Sequence, residues 1–269
     1  AGNLQNRGAI LSDNLLSINS AALSNYNEIS ALSLDVTSGD LYNEGEIFAQ
    51  NLVNIAAADV ENAEGGVISS SAMDVIIVGN DIENLGEISA KKDLEISATN
   101  ITNSNKILAF ENLNLTTKED LSNSKLIWAG GLIDAKGQNI YNEGADAVIS
   151  STSLDVKINS SVLIKNSGEI SAQNKLTIEF GNLENSGSLL ANNLNLEGVN
   201  LVNKNEILAN QLLIKANLTN RGDITSNGAL NIDAQSLLNF NNIIAINGDF
   251  VIDLGGLGVL ENKGLIQAR

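Results

Sequence analysis

The sequence contains no histidine, no cysteine and no proline, and only 3% of its 269 residues are aromatic. Each absence excludes something. Without thiol or imidazole there is no cysteine nucleophile, no Ser-His-Asp triad and no thiolate- or imidazole-ligated metal. Carboxylate chemistry and cations held by oxygen survive this cut. A disulfide scaffold is excluded too, although the missing cysteine does not by itself decide the compartment. Lack of proline leaves long stretches of backbone free to donate every N–H to a ladder. With so few rings, a core has to be built from Leu, Ile, Val and Ala, and a hydrophobic content of 43% supplies them. Basic residues are scarce as well: 15 Lys and Arg stand against 32 Asp and Glu, a net charge of −17. Such a surface repels phosphate, so nucleic acid is not an expected partner. No apolar run approaches the roughly 18 to 20 residues of a membrane-crossing helix, and membrane insertion is not expected. The opening AGNLQNRGAILSD lacks the basic-then-apolar pattern of a signal peptide.

Asparagine is what the chain has in excess, 41 residues or 15%. It recurs in a repeat: an aliphatic residue, any residue, Asn, then Gly or Asn two further on, then Ile-x-Ala. LQNRGAILS, LYNEGEIFA, IENLGEISA, ITNSNKILA, IKNSGEISA and LVNKNEILA all show it. The first asparagines are Asn6, Asn25, Asn43, Asn62, Asn84, Asn103, Asn123, Asn142, Asn166, Asn185, Asn203, Asn220, Asn239 and Asn262. Their thirteen intervals span 256 residues, a mean period of 19.7 (256/13). The repeat fills the chain without a linker, so one domain over 1–269 is expected.

Within each repeat the apolar residues alternate with polar ones, as in Leu94-Glu95-Ile96 and Leu176-Thr177-Ile178. Period two marks strands with one buried face. Three short strands in about 20 residues leave no room for a helix, and neither the LxxLxLxxN spacing nor the GGxGxDxUx calcium nonapeptide is present. The pattern predicts an all-β fold: a right-handed parallel β-helix of about 14 coils, with equivalent positions stacked at about 4.8 Å. Fourteen coils at that spacing extend about 65 to 70 Å. The recurrent amides of Asn6, Asn25, Asn43, Asn84, Asn103, Asn123, Asn185, Asn203 and Asn220 are expected to bond one another along the axis as a turn ladder. Gly or Asn two residues later, in twelve of fourteen repeats, predicts a left-handed turn there. Ala or Ser two after the Ile in every coil predicts close approach of the opposing sheet.

These repeats resemble those of filamentous haemagglutinin and of contact-dependent growth-inhibition exoproteins, large bacterial products of two-partner secretion. The likeness rests on LxNxGxIxA followed by LxI and covers residues 1 to 269. In that family the repeat forms a right-handed β-helical shaft, exported through an outer-membrane partner, with adhesive regions and toxins elsewhere in the chain. The resemblance therefore implies a structural stalk segment, secreted or at the bacterial cell surface. It also implies adjoining β-helical and functional regions of the same exoprotein, an outer-membrane secretion partner and a target-cell receptor. Both ends fall inside the repeat, so an internal piece of a longer shaft is expected.

Three features outside the ladder could carry function. Glu28, Glu46, Glu87, Glu169, Glu206 and Asp223 each precede the inward Ile and so face water. Glu28 with Glu46, and Glu206 with Asp223, fall on consecutive coils, close to the roughly 5 Å carboxylate separation of retaining glycosidases. That opens a polysaccharide-active or calcium-binding reading. Against it, a glycosidase needs a groove and a carboxyl group kept protonated, which a convex strand edge does not offer. No catalytic residue, cofactor or metal site is assigned. The second feature is apolar: alternation sends Leu108, Phe110 and the only tryptophan, Trp128, outward on adjacent coils, a candidate partner contact. It supports a carbohydrate- or receptor-binding adhesin as the alternative function. Third, three intervals are long, at 22, 24 and 23 residues. They correspond to Asn62 to Gly66, Asn142 to Asn166 and Asn247 to Val259, and in a solenoid such extras map to loops.

Overall fold

Alternating burial governs the computed structural model, which describes residues 2–269. The described residues form twenty-eight β-strands and no helix. Each strand pairs in parallel with its counterpart about one repeat away, so the chain is a β-solenoid of about fourteen turns and not a barrel. It divides into two compact units, Ala1–Ala135 and Lys136–Arg269, and each carries seven of the recurrent asparagines.

In the first unit, register places like residues over like. Asn6 lies beside Asn25, Leu41 beside Val60, Ile29 beside Ile47 and Ile88 beside both Ile68 and Ile107. Because side chains alternate faces, every second residue of a strand enters the interior. The interior is thus a set of aliphatic columns, one per short strand. Ile47, Ile68, Ile88, Ile107 and Ile127 are fully buried, as are Leu94, Leu113, Ile96 and Leu115. Each such burial stabilises by about 1.5–3 kcal/mol before conformational entropy is counted. An Asp in place of Ile88 would set a carboxylate between two isoleucines with no partner.

The second unit repeats the scheme. Leu183 pairs with Leu201 and Ile178 with Leu196, and Ile207 pairs with Ile224; all six are buried. The small residue after the Ile is buried on most coils, as at Ala90, Ala109, Ala172 and Ser226. Where it is Ser the hydroxyl is used, and Ser226 Oγ donates to the Ala229 carbonyl at 2.8 Å.

The turns differ from the sequence expectation. Of the twelve Gly or Asn residues two after the recurrent Asn, only Gly144 has a positive φ, and among the described residues none other than glycine does. What these corners demand is proximity, not handedness. A Cβ on Gly45 would run into the Asn27 carbonyl oxygen, and one on Gly86 or Gly187 into the Gly66 or Gly168 carbonyl oxygen of the neighbouring coil. Left-handed backbone occurs instead in the three long coils, at Gly65 (φ +85), Gly144 (φ +122) and Gly255 (φ +65). There the chain must turn away from the regular course and return, and glycine accepts that conformation without a steric cost.

Candidate functional site

The recurrent asparagines form one hydrogen-bonded column in each unit. In the first, Asn6 Nδ2 donates to Asn25 Oδ1, and the same bond repeats through Asn43, Asn62, Asn84 and Asn103 to Asn123, every one at 2.8 Å. In the second the column runs Asn142, Asn166, Asn185, Asn203, Asn220, Asn239, Asn262, at 2.8–2.9 Å. Alternation turns each of these residues inward at a strand end. All are buried except Asn262.

A further role of the same nitrogens was not evident from the repeat. Each also reaches backbone carbonyls: Asn25 Nδ2 lies 3.1 Å from Asn27 O and 3.0 Å from Glu46 O. Asn185 Nδ2 repeats this with Gly187 O and Glu206 O. One amide therefore ties its own corner, the next corner and the next asparagine. Among the described residues no buried side-chain nitrogen or oxygen lacks a partner, which is the condition for a buried polar column to stabilise.

A second, external column also escaped the sequence reading. Three residues before the recurrent Asn the chain carries Asn or Asp in most coils. Asp81 N–H donates to Asp59 Oδ1 at 3.3 Å, Asn100 Nδ2 to Asp81 Oδ1 at 2.8 Å, and Asp120 N–H to Asn100 Oδ1 at 3.2 Å. Asn200 and Asn217 continue the same habit in the other unit, donating to Asn182 and Asn200 at 2.9 and 3.4 Å. The recurrence was there to be found, but Ala22, Leu163, Ser236 and Val259 interrupt it.

The carboxylates before the Ile do not converge. Glu28 lies in register with Glu46 and Glu206 with Asp223, yet Glu87 is drawn to Lys106 at 3.5 Å. Glu206 accepts from Ser188 Oγ at 3.3 Å, and Asp223 accepts from Asn242 Nδ2 at 2.8 Å. Among the described residues no three Asp or Glu side chains are grouped as a metal site would need. A shallow groove in the first unit is lined by Asp40, Asp59, Asp81, Glu61, Glu83 and Tyr42. Desolvation, then the hydrogen bond to Glu44 and the charges of Glu44 and Glu61, raise the Tyr42 phenol above its ordinary value.

Leu108 and Trp128 pair in register on the outer face. Phe110, at the following corner, is 52% exposed, and its ring meets Trp128 edge-on, with centroids 5.5 Å apart at 79°. Lys91 Nζ sits 4.6 Å from the Phe110 centroid on the other side. Beside Phe110 on the next coil stands Gly130, where a Cβ would collide with the Phe110 carbonyl oxygen. An edge-on aromatic pair contributes about 0.5–1.5 kcal/mol beyond burial. The patch is an apolar step flanked by one cation, Lys91, not an enclosed pocket. No helix of the described residues is long and apolar enough to cross a membrane. No family model, curated protein or solved structure matches the chain.

Proposed function

We propose that this chain is a structural shaft segment of a large secreted bacterial surface exoprotein of the filamentous-haemagglutinin kind, holding adhesive or toxin-bearing modules away from the cell. The observation that carries the reading is the asparagine column, which runs through all seven coils of each unit without giving up a position to another task. A binding or catalytic protein built on a repeat normally interrupts it where the ligand sits, since function is placed on loops and irregularities. Here the carboxylates that precede the inward Ile are spread one to a coil. The mechanism is mechanical: parallel backbone ladders, a satisfied amide column and aliphatic columns resist extension together.

A second reading follows from the Leu108, Phe110 and Trp128 patch. Aromatic rings beside an exposed lysine suit a glycan or receptor surface, which would make the shaft itself adhesive. A glycan array run beside hydrolysis assays on the purified chain separates the two. The shaft reading expects neither binding nor cleavage. Binding that Trp128→Ala removes would transfer the function to the patch, and cleavage lost in Glu206→Gln/Asp223→Asn would make the chain an enzyme.

A further inference from the structure

The same fold that protects most asparagines leaves two of them chemically open. Asn-Gly occurs only at Asn227-Gly228 and Asn247-Gly248. Both asparagines are exposed and lie at bends between the second-unit strands, and Asn247 N–H donates to the Asn227 carbonyl at 3.2 Å. Among the described residues no backbone carbonyl or side chain accepts from the N–H of Gly228 or Gly248.

The column asparagines are held quite differently. From Asn25 to Asn123 and from Asn166 to Asn262, the N–H that follows each one donates to the carbonyl of the preceding column asparagine: Ser104 N–H to Asn84 O at 2.8 Å, Ser186 N–H to Asn166 O at 2.7 Å, Phe240 N–H to Asn220 O at 2.8 Å. Their Nδ2 atoms are bonded as well. None of the fourteen precedes glycine.

We propose that Asn227 and Asn247 are modification sites at which the folded chain spontaneously forms aspartate and isoaspartate. The following amide nitrogen, giving up its proton, bonds to the asparagine Cγ. The Cγ–Nδ2 bond breaks and ammonia leaves, producing a succinimide. Water then opens one of the two imide C–N bonds, leaving aspartate or, with the backbone rerouted through the side chain, isoaspartate. The step needs a free backbone N–H, a leaving amide not locked in place, and a following residue without a side chain. Asn227 and Asn247 satisfy the first and third, and only one bond, Asn227 Nδ2 to Asn210 Oδ1 at 3.1 Å, restrains either leaving amide. From Asn25 to Asn123 and from Asn166 to Asn262 the first and third conditions fail together, and reaction there has to wait for local unfolding. Each conversion adds one negative charge to a corner of the second unit.

The experiment incubates the full chain at mildly alkaline pH, native in one arm and in concentrated urea in the other. Peptide mapping reads the gain of one mass unit, and isoaspartyl methyltransferase labelling reads the rearranged product. In the native arm Asn227 and Asn247 should convert more than roughly tenfold faster than Asn210, which shares the Asn227 corner but precedes Gln211, and than any column asparagine. In urea the column residues that precede serine, such as Asn103 and Asn185, should begin to convert. Asn227→Gln should abolish labelling of its own peptide and leave that of Asn247 in place. Native conversion of Asn103 or Asn185 at a rate comparable with Asn227, or no excess of Asn227 and Asn247 over Asn210, would overturn the proposal.

Discussion

A single buried amide can be weighed by removing it. In Asn103→Leu, Asn84 Nδ2 loses its 2.8 Å acceptor and Asn123 Oδ1 its 2.8 Å donor, keeping the Lys125 N–H at 3.4 Å, and both atoms stay inside. The cost should be about 1–3 kcal/mol, read as a lower urea midpoint at unchanged slope. Asn262→Leu takes away one of three acceptors of Asn239 Nδ2 at a part-buried bond beside an exposed residue, and should lower the stability by less, about 0.5 kcal/mol. Equal effects at the two sites would mean that the column contributes nothing through burial. Glycines offer a second comparison. Gly65 has φ +85 and open space around its Cβ position, whereas Gly86 has an ordinary φ and the Gly66 carbonyl in its way. Gly65→Asn should be nearly neutral, because asparagine tolerates the left-handed region. Gly86→Ala should destabilise, since overpacking against backbone typically costs about 1–3 kcal/mol. The reverse order, by thermal or urea unfolding, would restore the left-handed explanation for the regular corners.

Strands and corners differ in how well the sequence foretells them. Period-two alternation places Ile47, Ile68 and Ile88 inside and Leu108 and Trp128 outside, because a strand has only two faces and one of them must be dry. The buried asparagines were legible for a related reason: a polar residue kept at one position of every coil has to meet its own copies. The corners were less so. Glycine at positions 45, 86 and 187 was read from its own conformational freedom, while the real constraint is the carbonyl of a residue about twenty positions earlier. Alternation puts Phe110 and Trp128 outside on adjacent coils, but it does not encode the edge-on meeting of their rings. That contact is measurable by a double-mutant cycle: Phe110→Ala and Trp128→Ala should show a coupling of about 0.5–1.5 kcal/mol. Additive effects would mean the rings only happen to be close.

At the scale of the molecule, charge acts as a whole. With 32 acidic and 15 basic residues, self-repulsion opposes the compact state, and the ion pairs Lys106–Glu87, Lys204–Glu184 and Lys263–Glu261 are solvent-exposed and stabilise little. Raising ionic strength from about 0.01 M to about 0.5 M shortens the Debye length several-fold and should therefore raise the melting temperature. A fall on adding salt would show that attractive pairs outweigh the net repulsion. Chelation should leave the melting temperature unchanged, because a calcium site takes about six to eight converging oxygens. The in-register pairs Glu28–Glu46 and Glu206–Asp223 supply two carboxylates each. A large loss with a chelator, recovered with calcium, would point to a working cation site.

The asparagine column also sets how such a chain can change in length. Its bonds stay at 2.8–2.9 Å whether the intervening chain is 17 residues, from Asn203 to Asn220, or 24, from Asn142 to Asn166. Every coil is thus brought back to one phase, and an error in the length of one is not passed to the next. Extra residues loop out between two fixed points, as they do around Gly65, Gly144 and Gly255. Gain or loss of a whole repeat in the gene would join one asparagine to another with nothing else to renegotiate. A lineage carrying this repeat can lengthen or shorten in steps of a coil while each intermediate still folds.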